Sequence, residues 1–311
     1  MMTAKITQDS DDISQNPSVF TVILNFNNYS DTIETIASVY ASDYDANTLI
    51  LIENSTDEQI IQNIRSRFPT LEIIQNSENL GYAGGNNVGV QEAIDRGAEY
   101  IFILNNDVIL EKDVITKCID ALRRSPDCAA CQPVISFDND RKKIWSAGTQ
   151  WFCGYPRLFL KGQSIIRNGA VKPLFGLVGC AIFFRVSALR EVGLFDASLF
   201  LMHEETDWCI RAKQRNFSLL VITSAVAYHK ISATIGLLSR EYLYYVGRNW
   251  LLVGRKNYDI LSYGYILVTE LTIRFPYYLY HLAKRGQVNQ IKYYLKGIID
   301  GIRGVSGKAD F

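Results

Sequence analysis

The sequence predicts an α/β protein: a mostly parallel sheet flanked by helices, with a helical C-terminal appendage. Three observations carry that expectation. Over the first hundred residues, apolar runs of strand length alternate with segments of helical periodicity, the pattern of a sheet covered by helices. Polar residues follow each run, where such sheets hold their ligands. Beyond Gly236 the chain changes to Tyr-rich, basic, helical segments such as "REYLYYVGRNWLLVGRK".

Taken in order, "SVFTVILNF" (18–26) reads as a buried first strand. Ser30 or Asp31 is then expected to cap a helix whose apolar face, Ile33, Ile36, Ala37 and Tyr40, recurs at i, i+3, i+4 and i+7. "TLILIE" (48–53) is a second strand, residues 57–67 a helix and "LEIIQ" (71–75) a third strand. The turn-rich "NSENLGYAGGNNVG" opens a helix to about Arg96, and a fourth strand, "EYIFIL", ends in Asn105, Asn106 and Asp107. Residues 137–176 are irregular and suit a long hairpin or lid. "GLVGCAIFFR" is another strand, residues 204–215 a helix, and "SLLVITSAVAYH" a strand ending at His229. The expected organisation is a loose N-terminus over 1–17, an α/β domain over 18–235 and the basic helical region over 236–311.

The chain has 311 residues, enough for a sizeable core, and no net charge, but the charge is uneven. From Gly236 onward eleven Lys and Arg face five Asp and Glu, leaving +6 there and −6 in the remainder. The opening "MMTAKITQDSDDISQNPS" is polar and acidic, unlike a secretory leader, so a cytoplasmic location is expected. Six cysteines in no disulfide framework read as reduced thiols, and the lone CxxC at Cys128 and Cys131 lacks the second pair of a zinc site. No apolar stretch reaches the roughly 20 residues of a membrane-spanning helix. No nucleic-acid partner is expected.

The site candidates sit beyond the strands: Asn25 and Asn27 after the first, Glu53 and Asn54 after the second, Asn79 after the third, Asp107 after the fourth. Asp107 either caps a helix starting near Lys112 or, with His229, binds Mg²⁺ or Mn²⁺, hard ions that take few protein ligands when phosphates supply oxygens. "NLGYAGGNNVG" lets backbone approach a ligand and presents helix N-terminal amides to an anion, although many Gly-rich loops exist for steric reasons. "LFLMHEETDWCIRA" crowds Glu204, Glu205 and Asp207 at a helix start. Asp207 and Arg211, at i, i+4, make an ion pair, while crowding raises the proton affinity of one carboxylate, as a general base requires.

Together these residues resemble the family-two inverting glycosyltransferases of the GT-A fold, a Rossmann-like nucleotide-diphospho-sugar transferase, and especially their bacterial rhamnosyltransferase-like branch. The resemblance covers about residues 18–256, in five ordered parts: "VILNFNN", "LIENSTD", "NLGYAGGNNVG", "ILNND", and "VGLFDASLFLMHEETDWCIRAKQRNF" followed by "AVAYH". It implies that Glu53 contacts the nucleoside and that Asn25, Asn27, Asn54, Asn79, Gly81, Gly84, Asn86 and Asn106 line the nucleotide-sugar. Asp107 and His229 would hold a divalent metal on the diphosphate, assisted by the loop amides. Glu205, with Glu204 as the alternative and Asp207 beside them, would take the proton of an acceptor hydroxyl in a single inverting displacement. Glutamate stands at 53 and 205 where the family has aspartate, and Asp107 is the only acid of its metal motif.

The implied donor is dTDP-rhamnose or a UDP-sugar, and the acceptor a glycan or lipid-linked sugar of cell-surface polysaccharide. The basic tail would lie peripherally on the inner membrane surface, or pack on the catalytic domain or a second subunit of a homodimer. A nucleotide-sugar-binding scaffold without turnover is the competing class. An NAD-dependent oxidoreductase is disfavoured, because "NFNNYSD" follows the first strand where a glycine fingerprint would stand.

Overall fold

The computed structural model describes residues 16–171, 175–231 and 238–311. Most of the N-terminal stretch expected to be loose, and the expected boundary at 235/236, lie outside the described residues. The first half runs β1 (Val19–Asn25), α1 (Tyr29–Tyr40), β2 (Asn47–Glu53), α2 (Glu58–Arg67), β3 (Glu72–Gln75), α3 (Gly81–Asp95), β4 (Tyr100–Asn105), β5 (Val108–Leu110), α4 (Val114–Arg123) and β6 (Cys128–Phe137). Short strands β7 (Ile144–Ser146), β8 (Thr149–Phe152), β9 (Tyr155–Leu158) and β10 (Ala170–Val171) follow. Then come β11 (Ala181–Arg185), α5 (Val186–Val192), α6 (Glu204–Gln214) and β12 (Ser218–His229). The chain closes with α7 (Arg240–Asn257), α8 (Ile260–Thr269), a π-helical turn at Glu270–Arg274, α9 (Phe275–Lys284) and α10 (Ile291–Arg303).

Among the described residues, one mixed sheet follows the order β10-β12-β6-β11-β4-β1-β2-β3. β3, β2, β1 and β4 are mutually parallel, β11 runs antiparallel between β4 and β6, and β12 lies parallel to β6. Alternation along β1 divides its side chains between the two faces: Val19 and Ile23 join one apolar cluster, Phe20 and Val22 the other. The irregular stretch after β6 contains a separate two-stranded hairpin of β8 and β9.

Two local details differ from the sequence reading. Asn28, not Ser30 or Asp31, caps α1: its extended backbone precedes the helix, and its side-chain oxygen accepts the Asp31 N–H at 3.3 Å. Asp31 thereby falls inside the first turn, where its carboxylate accepts from the Asn28 amide at 2.8 Å and from Lys230 Nζ at 2.6 Å. Asp107 caps no helix either, since the cap position of α4 is Asp113.

A third apolar cluster belongs to the C-terminal helices, with Leu243, Trp250, Tyr294 and Ile298 at its centre, and it includes Leu199 and Ile210. This cluster joins the basic region to the sheet domain. Trp250 Nε1 donates to Gly154 O of the β8–β9 turn at 2.9 Å, and Asn257 Nδ2 donates to Asp207 at 2.8 Å. Helix α10 crosses α7 in backbone contact: a Cβ built on Gly297 would lie 2.2 Å from Tyr244 O, and one on Gly301 would lie 2.7 Å from Arg248 O. Backbone cannot give way as a flexible side chain can. Gly297→Ala is therefore expected to lower the unfolding free energy by about 1–3 kcal/mol through overpacking, read by urea denaturation; an unchanged midpoint would contradict this crossing.

Candidate active site

The parallel strands end at one edge of the sheet, and hydrogen bonds knit their tips together. Glu53, at the end of β2, is fully buried; its carboxylate accepts from Asn25 Nδ2 at 2.5 Å and from the Ser55 N–H at 2.9 Å. Asn25 Oδ1 in turn accepts from Thr32 Oγ1 and from Asn106 Nδ2, each at 2.8 Å. Buried polar groups require partners, and these four satisfy one another. Asn25, Glu53 and Asn106 thus sit beneath the surface as a brace between β1, β2 and the end of β4. Above them opens a cleft of about 350 Å³ lined by Phe26, Asn27, Asn54, Ser55, Thr56, Asp57 and Asn79. Asn54 ties its far wall: its amide donates to Asn79 Oδ1 and Gly81 O, both at 3.0 Å, and its oxygen accepts from Asn76 at 3.0 Å and the Leu80 N–H at 3.1 Å.

In the glycine-rich loop the steric reading is the one the structure shows. Cβ atoms on Gly85 and Gly89 would lie 2.5 Å from Leu24 Cδ1 and from Val22 Cγ1, so these glycines let α3 lie close on β1. At Gly81 (φ +73°) a Cβ would meet Phe200 O at 2.3 Å, and the Tyr82 and Ala83 N–H groups donate to that same carbonyl at 2.7 and 3.3 Å. Gly81 N–H is taken by Asn79 Oδ1 at 2.8 Å. The first-turn amides expected to meet a diphosphate are engaged by protein acceptors. Gly84 packs over Leu80, and Asn86, fully buried, donates to Tyr82 O at 2.9 Å with its own oxygen unpaired.

Asp107 and His229 are far apart in the chain and meet because β5 pairs with β12, with His229 opposite Val108. Asp107 Oδ1 lies 3.2 Å from His229 Nε2, and both residues are buried. That contact is not aligned as a hydrogen bond, so Asp107 Oδ1 lacks a partner; the other ring nitrogen, His229 Nδ1, also lacks one, and Trp145 packs edge-on against the imidazole at 4.8 Å between centroids. A buried carboxylate oxygen without a partner beside an imidazole suits a hard divalent cation whose remaining ligands come from phosphate and water. The described residues hold no cluster of three or more His, Cys, Asp or Glu side chains that would make a protein-only metal cage.

The acidic helix start faces the same region. The charges of Glu204, Glu205 and Asp107 all act on the Tyr82 hydroxyl, which burial above all pushes well above its ordinary pKa and which donates to Gly179 O at 2.7 Å. A Cβ on Gly179 would stand 3.6 Å from both Glu205 Cγ and that hydroxyl. Glu204 is buried with Oε2 unpaired; loss of hydration first, and the adjacent Glu205 second, hold its carboxyl well above the usual carboxylate range. Glu205 remains partly exposed, its Oε1 accepts from Thr206 Oγ1 at 3.3 Å, and its pKa is also raised by desolvation. Asp207 does not join them. It is fully buried, accepting from Arg211 Nε at 2.7 Å and Asn257 Nδ2 at 2.8 Å, while Arg211 also binds Val192 O and Leu194 O. It is a structural tie, as the i, i+4 spacing suggested.

Sequence reasoning overlooked the residues that aim this helix. Phe200, Met202 and His203 all have positive φ (64°, 70° and 72°), a backbone costing about 1–3 kcal/mol for each non-glycine residue. Asn249, fully buried on α7, holds the turn by donating to Leu199 O, Leu201 O and Met202 O at 2.8, 2.6 and 2.8 Å. Its neighbour Arg248, also buried, donates to Leu199 O at 2.9 Å and to Gly307 O at 2.6 Å. The available signal was "VGRNWLLVG", two strongly polar residues inside an apolar helical run. His203 closes the turn: burial depresses its pKa to about 3, so the ring is neutral, and it packs between Tyr155 and Trp250.

The profile of "Glycosyl transferase family 2" matches residues 20–193. The "dTDP-rhamnosyl transferase RfbF" of Shigella flexneri is 22% identical over 305 residues, covering 94% of this chain and 98% of the relative. Among solved structures, the mannosyltransferase PcManGT from Pyrobaculum calidifontis, in complex with GDP-Man and Mn²⁺, superposes with a TM-score of 0.58 at 11% identity, covering 93% of this chain and 88% of its own. TarS 1-349 of S. aureus, in complex with UDP-GlcNAc, gives 0.61 at 14% identity, covering 93% and 81%. At these identities the likeness is one of fold, the GT-A arrangement.

Two outcomes follow from this geometry. Because the Glu204 carboxyl keeps its proton above the ordinary value of 4.5, the folded chain binds more protons than the unfolded one there; the stability this contributes is complete below that pH and is lost as pH rises through the raised value. The urea midpoint should fall over that range, and Glu204→Gln should flatten the slope; equal slopes would contradict the raised proton affinity of the buried Glu204 carboxyl. Asn249→Ala should cost about 1–3 kcal/mol through unpaired carbonyls and speed hydrogen exchange at the Tyr82, Ala83 and Asp207 amides, whose acceptors lie in the turn.

Proposed function

This chain belongs to glycosyl transferase family 2 and is a glycosyltransferase that uses a nucleotide-sugar, and from that premise we propose an inverting transfer of one sugar to a hydroxyl group. The observation that carries this reading is the meeting of the Asp107–His229 pair and the Glu204–Glu205 helix start around Tyr82 and Gly179. The nucleoside lies in the cleft above the strand tips, against Asn27, Asn54 and Asn79. Glu53, buried and doubly bonded, acts indirectly by holding Asn25 and the Ser55 backbone in place.

Asp107 and His229 would hold a Mg²⁺ or Mn²⁺ ion, which when bound would supply positive charge to the leaving diphosphate. Glu205 is the general base. It is the more exposed of the two glutamates, and its raised pKa brings its proton affinity closer to neutrality. Its carboxylate takes the acceptor proton as the acceptor oxygen forms a bond to the anomeric carbon, and the bond to the diphosphate oxygen breaks on the opposite face. The nucleoside diphosphate leaves with that electron pair. Glu204, holding its proton more tightly, keeps the acidic pair from carrying two charges.

The donor is dTDP-rhamnose or a UDP-sugar and the acceptor a glycan or lipid-linked sugar, in cell-surface polysaccharide assembly. The support for rhamnose is the similarity over nearly the whole chain to the Shigella flexneri protein. The basic C-terminal region meets the inner membrane surface from the cytoplasmic side, or a second copy. A thermal-shift panel of dTDP-, UDP- and GDP-sugars with Mn²⁺ identifies the donor, since a ligand at 100 times its Kd stabilises by about 2.7 kcal/mol. With that donor, Glu205→Gln should reduce turnover by about 10²–10⁴-fold while preserving the shift. The wild-type rate should rise with pH through the raised Glu205 pKa. Donor binding without turnover across acceptors would leave a scaffold.

A further inference from the structure

We propose that the outward face of the α8–α9 segment is a docking surface for an anionic lipid bilayer. Between Ile260 and Ala283 the charged side chains, apart from His281, are Glu270 and Arg274, and both are buried in a mutual ion pair at 2.6 Å. Tyr294 donates its hydroxyl to Glu270, and the Arg274 guanidinium lies over the Tyr155 ring at 3.5 Å, so the segment turns its charges toward the protein. The outer side is apolar and aromatic. Leu261, Tyr265 and Val268 recur at i, i+4 and i+7, and Ile273, Tyr277 and Tyr280 repeat that spacing. A π-helical turn, Glu270–Arg274, joins the two halves and itself carries Ile273, five residues after Val268. The stripe is open to solvent, with Leu261 83% and Tyr280 63% exposed.

Such a face needs a cover, and its ends indicate which kind. Exposed Arg255 precedes the segment and exposed Lys284 and Arg285 follow it, within a region of excess positive charge. The nearby acid Asp259 is committed to capping the Leu261 and Ser262 N–H groups, both at 3.0 Å. A neutral, Tyr-rich stripe with basic ends complements a bilayer interface: tyrosines suit the headgroup level, aliphatic side chains the acyl boundary, and Lys and Arg the anionic headgroups. A second copy fits less well. Pairing two such faces, parallel or antiparallel, sets basic ends against basic ends. Among the described residues no helix is long and apolar enough to cross a membrane, so this segment lies on the bilayer.

In so far as this surface brings a lipid-linked acceptor to the site it rests on the transferase reading, but its test needs neither donor nor acceptor. The full chain is sedimented with vesicles of phosphatidylcholine containing one third phosphatidylglycerol, and with vesicles of phosphatidylcholine alone. Binding is expected to the anionic vesicles and to fall about tenfold or more on phosphatidylcholine or in high salt, as loss of one to two lipid-facing charges would produce. Leu261→Glu with Val268→Glu should reduce binding similarly without changing the thermal midpoint, both positions being exposed. Lys284→Glu, at the basic end, supplies a second variant should the first unfold. Absence of wild-type binding, or binding that neither variant weakens, overturns the proposal. So does a dimer in solution that Leu261→Glu dissociates, since a second copy would then cover the face. Failure of vesicle binding leaves donor stabilisation and turnover untouched, and loss of turnover leaves vesicle binding untouched.

Discussion

The site depends on one buried amide. Asn249 gathers three carbonyls of a turn that reverses into the left-handed region at Phe200, Met202 and His203, and that turn aims the two glutamates. Without donors on its inner side, such a turn would carry backbone strain and unsatisfied carbonyls together. From the opposite side the start of α3 holds the same turn through two amides on Phe200 O. The glutamates are therefore positioned by α3 and α7, elements far apart in the chain. The C-terminal region is a structural part of the site, and its crossing of α7 by α10, in backbone contact, stiffens the helix that carries Asn249.

Electrostatics explains why so much structure surrounds so few residues. Two adjacent carboxyls in a desolvated place resist ionisation together, and the folded chain loses stability when they ionise. Asp107 Oδ1, His229 Nδ1 and Glu204 Oε2 remain unpaired although buried, a cost that a cation, a diphosphate and an acceptor hydroxyl would offset. Nearby charges are treated in the opposite way: Asp207 with Arg211, and Glu270 with Arg274, are paired within the protein.

The strands and helices were readable because each follows a short period, and Asp107, His229, Glu204 and Glu205 stood out because charged or ionisable residues follow apolar runs at those positions. Of the two readings of the glycines in "NLGYAGGNNVG", ligand approach or steric need, the structure shows the steric one. Glycine permits close approach, but sequence does not name what approaches; here it is Leu24, Val22 and Phe200 O rather than a ligand. Glu53 was placed correctly at its strand tip but not in depth, since only register decides that Asn25 and Ser55 close over it.

By itself the sequence determined the alternation of elements, the polar residues at the ends of the parallel strands, the ion pair of Asp207 with Arg211 and the uneven charge, because all depend on local spacing or on composition. Only the tertiary structure decided that Asp107 lies against His229, that Asn249 clamps the turn before Glu204, and that Glu270 and Arg274 face inward. Those contacts join residues separated by scores of positions, or depend on which side of a helix another element covers. No periodicity within one segment encodes either.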